Sequence, residues 1–306
     1  MKISPPGKMV EASGGQLHVH VQGQGGPVVV LEAGIAASSL SWALVQPAVA
    51  AFTTVLSYDR AGFGWSDKAA CRSTAGEAAE DLALLLENAG LAPPFVLVGH
   101  SFGGLIVRVF EQRYPDLVAG MVLVDPVVRS EWGEMTAERA RLLARGVHLS
   151  RIGALLDTLG MVRAGLSALI GGSRRFPQLL ARLSAGGASS VAARFVKQVR
   201  MLPPELWPAI AAHWSEARCF RAMAANLEGL PASVRQLDES RPMEDIPLIV
   251  ISADKGNEEH ARDAGLSERG RVVSAPELGH WIQLDAPDLV VDAVREVVGR
   301  CRAGSL

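Results

Sequence analysis

Ser101 is the residue of this 306-residue chain best placed to do covalent chemistry. It stands in Gly99-His100-Ser101-Phe102-Gly103, between the apolar run Phe95–Val98 and the helix-patterned stretch Phe102–Tyr114. A strand that turns abruptly into a helix leaves the side chain at the turn clear of the sheet, where a hydroxyl can attack a carbonyl. Side chains two residues to either side would collide, so Gly99 and Gly103 are read as small by necessity, and Gly104 lets the helix lie close to the sheet. The helix N-terminus adds positive dipole where negative charge would develop. In a chain with 31 glycines the pentapeptide alone carries little weight, and the strand before it and the helix after it supply the rest. His100 adjoins the serine, but the turn points it away, and it is expected to pack beneath the nucleophile.

The elements that hold this turn are legible from patterning. Lys8–Ala12 and Gln16–Gln22 read as a hairpin across Ser13-Gly14-Gly15, with period-two alternation in Leu17–Val21. Val28–Leu31, Thr53–Tyr58, Phe95–Val98 and Gly120–Val124 are short β-rich or continuous apolar runs, as in strands buried on both faces. Leu40–Ala51 is expected to be helical, with Pro47 disturbing its register, and Ser73–Ala89 is an amphipathic helix stopped by Gly90. Helical patterns dominate from Val127 to Asp238, with breaks at Gly171-Gly172, Gly186-Gly187 and Pro203-Pro204. Strand signal returns at Pro247–Ser252 and Arg271–Ser274, and a last helix covers Pro287–Arg302 with Asp285 as its expected N-cap. Strands alternating with helices imply a mostly parallel sheet with helices on both faces. The helical block is then an insertion between two strands, dividing the chain into a core of residues 1–126 and 239–306 and an insertion of residues 127–238.

Three segments together resemble the α/β-hydrolase superfamily: the serine turn, Tyr58-Asp59-Arg60-Ala61-Gly62-Phe63-Gly64-Trp65-Ser66-Asp67, and Gly279-His280-Trp281 followed by Gln283-Leu284-Asp285-Ala286-Pro287. The resemblance implies the α/β-hydrolase fold with an inserted helical lid, and a nucleophile–acid–histidine order along the chain. Of seven histidines, His280 occupies the position where that fold presents its general base. His18 and His20 are expected to be exposed or packing residues, and no pattern supports His148, His213 or His260. For the acid, the commonest family place beyond the seventh strand falls on Gly256, which cannot serve. Two candidates stand: Asp125, at the end of the sixth strand, ranked first, and Asp254, two residues before Gly256. The oxyanion hole implied by the resemblance takes the N–H of Phe102 and, from the loop Leu31–Ala36, the N–H of Ile35. Asp59-Arg60 is read as a structural ion pair or loop clamp, and Glu32 as a residue that could tune the site.

Composition narrows the function. Net charge is −2, giving no electrostatic footprint for nucleic acid. No apolar stretch approaches the length of a membrane span, and the first ten residues lack the apolar core of a secretory signal. Cys71, Cys219 and Cys301 are odd in number and lack metal-ligand spacing, so free thiols in a reducing, cytoplasmic setting are the simplest expectation, with one disulfide as the alternative. Leu142, Leu143, Leu149, Ile152, Leu155, Leu156, Leu159 and Met161, continued by Leu166 to Leu183, pack the insertion and are expected to offer an apolar pocket, with Leu155 and Leu159 facing inward. The expected function is a serine esterase acting on a small, mostly apolar substrate through an acyl-enzyme, with no metal or organic cofactor. Other acyl hydrolases (thioesterases, lactonases, amidases or aminopeptidases, carbon–carbon hydrolases) stand as alternatives. So does a ligand-binding receptor that retains the triad. The serine excludes the aspartate-nucleophile branches, and oligomeric state is left open.

Overall fold

β-branched and leucine-rich runs dictate the centre of the molecule. The computed structural model describes residues 5–13, 15–67, 74–158, 160, 162, 197–237, 241, 243, 245–254 and 256–304. Eight strands form one sheet in the order β1-β2-β4-β3-β5-β6-β7-β8: β1 Lys8–Ala12, β2 Gly15–Gln22, β3 Val28–Glu32, β4 Val55–Tyr58, β5 Phe95–His100, β6 Val118–Val124, β7 Leu248–Ser252 and β8 Gly270–Ser274. The β1–β2 and β2–β4 pairings are antiparallel, and the others are parallel. Alternate residues of each central strand enter opposite layers, because successive side chains point to opposite faces. Val30, Leu97, Met121 and Val250 join one cluster with helices α2 (Ala75–Asn88) and α3 (Phe102–Arg113). Val29, Val98, Val122 and Ile249 join the other, with α1 (Gln46–Ala50) and the C-terminal helix. Both faces are thus covered, and the continuous apolar runs of the sequence follow from that.

The expected helix over Leu40–Ala51 is two short pieces, a 3₁₀ turn at Ser39–Trp42 and α1, with Pro47 in the first turn of α1. Proline has no N–H to donate and is best tolerated in that first turn. Helix α2 starts at a capping box: the Thr74 hydroxyl accepts from the Glu77 N–H at 3.4 Å, and Glu77 accepts from the Thr74 N–H at 3.0 Å.

Between β6 and β7 the described residues supply α4 (Ser130–Gly133), α5 (Ala137–Thr158), α6 (Trp207–His213) and α7 (Ala217–Val234). Beyond β7 come α8 (Glu258–Ala264), α9 (Ile282–Asp285) and α10 (Pro287–Gly304). Helices α5 and α7 pack closely because α5 presents glycines. A Cβ on Gly146 would lie 3.1 Å from Leu227, and one on Gly153 would lie 2.6 Å from the Phe220 ring. That small-residue face is the buried one. The expectation that Leu155 faces inward is therefore corrected: it is 65% exposed, with Leu142 and Leu149 also exposed. Leu159, Met161, the leucines from Leu166 to Leu183 and Cys71 lie outside the described residues.

Candidate active site

The turn from β5 into α3 holds Ser101 at φ 54° and ψ −118°, off the regular regions for a residue with a Cβ. Its surroundings over-determine that conformation. The Ser101 N–H donates to Val124 O at 3.0 Å, and its carbonyl accepts from the N–H groups of Gly104 at 2.9 Å and Val127 at 3.3 Å. A Cβ on Gly99 would lie 2.5 Å from Gly103 O, and one on Gly103 would lie 2.7 Å from Ala33 O. Both glycines are required by close backbone approach. As first residue of α3, Phe102 has an N–H with no carbonyl a turn behind it inside the helix.

The structure brings Asp125 and His280 together: His280 Nδ1 lies 2.6 Å from Asp125 Oδ2. The His280 side chain is 50% exposed, whereas that of Asp125 is 14% exposed. Asp125 follows β6 at φ 43°, a left-handed conformation that aspartate tolerates better than most residues. Its N–H donates to Ile251 O at 2.7 Å, and its Oδ1 accepts from the Ala253 N–H at 3.0 Å. Burial works against ionisation of this carboxyl. The hydrogen bonds from His280 and the Ala253 N–H, with charge attraction to His280 and His260, outweigh it and hold the carboxyl below its ordinary value. Asp254 is exposed and spends its carboxylate on Asn257 Nδ2 at 3.4 Å. Gly256 sits at φ 75° on the surface.

His100 is buried, and its Nε2 donates to the backbone carbonyl of His280 at 2.9 Å. Its ring lies 4.8 Å from that of His280 and 5.2 Å from that of Trp281, centroid to centroid. The residue expected only to pack thus ties the serine turn to the histidine loop. Burial, reinforced by the charge of His280, pushes His100 down to about 3, so it stays neutral at ordinary pH. Asp285, expected to cap the last helix, instead accepts the Gly279 N–H at 3.1 Å and shapes the turn before His280. Helix α10 begins at Pro287, directly after Ala286.

Asp59 and Arg60 bond to different partners. Asp59 is buried and accepts from His18 Nδ1 at 3.0 Å, the Ser39 N–H at 2.6 Å and the Trp65 N–H at 3.0 Å. His18, expected to be exposed or packing, is fully buried. Burial opposes its charge, but the hydrogen bond and charge of Asp59 and the Pro6 carbonyl raise its pKa. Arg60 reaches the loop after β3. It pairs with Glu32 and donates to Ala33 O at 2.5 Å and Gly34 O at 2.6 Å, while the Tyr58 hydroxyl donates to the other Glu32 oxygen. In a trans peptide the C=O and the next N–H point in opposite directions. Holding Gly34 O towards Arg60 therefore fixes the Ile35 N–H on the opposite side. The sequence offered Glu32 and Arg60 only as possible tuning or clamping residues, and nothing in it paired them, since 28 residues separate the two.

Beside the histidine loop lies an apolar cleft, partly open to solvent. Leu40, Leu202, Ile210, Trp214, Trp281 and Leu284 line it, with Ala37, Ser38 and Ser41 from the chain that follows the Ile35 loop. Among the described residues there is no group of three or more His, Cys, Asp or Glu that could hold a metal ion, and no helix is long and apolar enough to cross a membrane.

Comparison with known proteins gives a consistent picture. A sequence model for the alpha/beta hydrolase fold matches residues 27–287. Protein YqjL of Bacillus subtilis is 33% identical over 109 residues, covering 36% of this chain and 43% of YqjL. The chain spans less than half the length of the curated relatives it matches. Among solved structures, the epoxide hydrolase CorEH aligns at a TM-score of 0.66 with 18% identity over 96% of this chain and 98% of its own. A thermophilic esterase from Thermogutta terrifontis aligns at 0.62 with 21% identity, over 96% and 98% of the two chains. At such identities these two likenesses concern the fold.

Proposed function

Since the chain belongs to the alpha/beta hydrolase fold family, its match covering residues 27–287, we propose that it is a serine hydrolase cleaving a carboxylic ester of a small, mostly apolar substrate. The observation that carries this reading is the 2.6 Å pair of His280 Nδ1 and Asp125 Oδ2, in the same molecule as the strained turn that presents Ser101. A carboxylate accepts, so Nδ1 carries the proton and Nε2 keeps its lone pair, the tautomer a general base needs. In the proposed reaction Nε2 takes the Ser101 proton as Oγ attacks the ester carbonyl. The N–H groups of Phe102 and Ile35 receive the oxyanion. The protonated His280 then gives its proton to the departing alkoxide, leaving an acyl-Ser101. Water, deprotonated by the same nitrogen, releases the acid and restores the hydroxyl. Asp125 rather than Asp254 serves as the acid, on the hydrogen bonds each makes. The cleft beside Trp281 supports an apolar limb on the substrate. The described helices between β6 and β7 serve as the lid, with α6 contributing Ile210 to that cleft. Cys219 is a buried thiol, which supports a reducing, cytoplasmic setting in this reading.

A fluorophosphonate probe tests the reading directly. It is expected to label Ser101 and abolish hydrolysis of p-nitrophenyl esters, with a panel of thioesters and amides turned over more slowly. A Ser101→Ala variant that keeps full activity would sink the mechanism.

A further inference from the structure

The acid of the proposed site needs holding from outside, and the structure shows what does it. Asp125 has a left-handed backbone, and both its backbone N–H and its Oδ1 lean on the end of β7, through Ile251 O and the Ala253 N–H. Ser252 lies between those two partners and Pro126 directly follows Asp125. His260 touches both. Its Nε2 lies 3.0 Å from Pro126 O and its Nδ1 2.7 Å from Ser252 Oγ, on a side chain that is 2% exposed. A carbonyl only accepts, so Nε2 is the donor. The Ser252 hydroxyl also lies 2.9 Å from Asp254 O. One rigid ring therefore spans the ends of both strands that shape the Asp125 turn.

The ring itself stands on a fixed base. Asn257 caps α8 by accepting from the N–H groups of Glu259 and His260, each at 3.0 Å. Asp263 accepts from Arg108 of α3 at 2.7 Å and from Arg129 at 2.9 Å, and Glu259 accepts from the N–H groups of Arg129 and Ser130. All of Arg108, Arg129, Glu259 and Asp263 are buried. Helix α8 is thus pinned to the nucleophile helix and to the chain that leaves Asp125, and His260 projects from it into the gap between β6 and β7.

We propose that His260 is a positioning residue for Asp125, holding its carboxylate in line with His280 by bracing Pro126 and Ser252 at once. The inference rests on the reading of Asp125 as the acid. In this arrangement β7 and α8 supply the brace while β6 supplies the acid.

The test compares His260→Ala, His260→Gln and Ser252→Ala with the wild type in ester turnover. It also follows the Nδ1 proton of His280 by NMR in protein with ¹⁵N-labelled histidine. His260→Ala is expected to lower kcat by roughly tenfold to a hundredfold with KM nearly unchanged, as for an interaction realised in the transition state. The His280 proton resonance should move upfield and exchange faster. His260→Gln keeps a donor for Pro126 and should recover part of both. Ser252→Ala, which leaves the ring in place, should show a smaller change of the same kind, and it keeps the question open to measurement if His260→Ala does not fold. A folded His260→Ala or Ser252→Ala protein with wild-type kcat and an unmoved resonance overturns the proposal. The resonance reports the Asp125–His280 bond whichever residue is the nucleophile, so failure of the brace is distinguishable from failure of the Ser101 mechanism.

Discussion

A base that works twice per turnover must keep one nitrogen occupied and the other available, and under the proposed mechanism that division at His280 falls to Asp125. Replacing Asp125 by asparagine preserves size and left-handed tolerance but offers an N–H where an acceptor is needed, which favours the wrong tautomer. Under the proposed mechanism Asp125→Asn is expected to lower kcat by about ten-thousand-fold, as such a change does in other triads. Asp254→Asn is expected to change it little, because its carboxylate is exposed and accepts from Asn257. Steady-state kinetics on a p-nitrophenyl ester checks the ranking, and the reverse order would move the acid to Asp254. At this scale motif and chain order single out Ser101, His280 and two candidate aspartates, and the structure adds the contact of His280 with Asp125. His18, His100 and His260 were not legible in this way, since burial and hydrogen-bond partners decide their roles and each partner lies on a different element.

Under the proposed mechanism the loop after β3 matters most among the elements, because a backbone N–H can only be aimed by fixing its peptide plane. The Arg60 guanidinium forks across the carbonyls of Ala33 and Gly34, and Glu32 and Tyr58 hold it there. Lysine keeps the charge beside Glu32 but cannot reproduce a planar fork. Losing one oxyanion donor outright costs about two to three powers of ten in turnover. Arg60→Lys, which loosens the donor without deleting it, should therefore cost about one power of ten in kcat with KM little altered. A folded Arg60→Lys protein within about twofold of wild type would separate the clamp from the oxyanion hole. Strands and long helices were legible in the sequence because their periodicity repeats. The 3₁₀ turn at Ser39–Trp42 and the Asp285 bond to Gly279 were not, since each rests on a single local contact.

Across the whole molecule, the cleft beside Trp281 draws its walls from the chain after β3, from α6 and from the histidine loop. Each buried methylene is worth at most about 0.8 kcal/mol, close to fourfold in kcat/KM. In a series of p-nitrophenyl esters from acetate to hexanoate, kcat/KM should rise and then level off as the cleft fills. Leu202→Ala or Ile210→Ala should flatten that rise while sparing acetate. Leu155→Ala, on the exposed face of α5, should leave the series unchanged. A steady fall from acetate onward would mean a small or polar pocket. The stripe of leucines on α5 misled because periodicity marks a face without saying which face is covered, and the glycines at 146 and 153 decide that. Helix α7 is fastened at both ends. Arg218 near its start donates to the carbonyls of Gly64 and Ser66, while Ser233 and Gln236 at and just beyond its end accept the N–H groups of Ala75 and Gly76. A beam fixed at two points cannot swing as a door does. In the proposed lid, α7 is then the fixed post rather than the moving part.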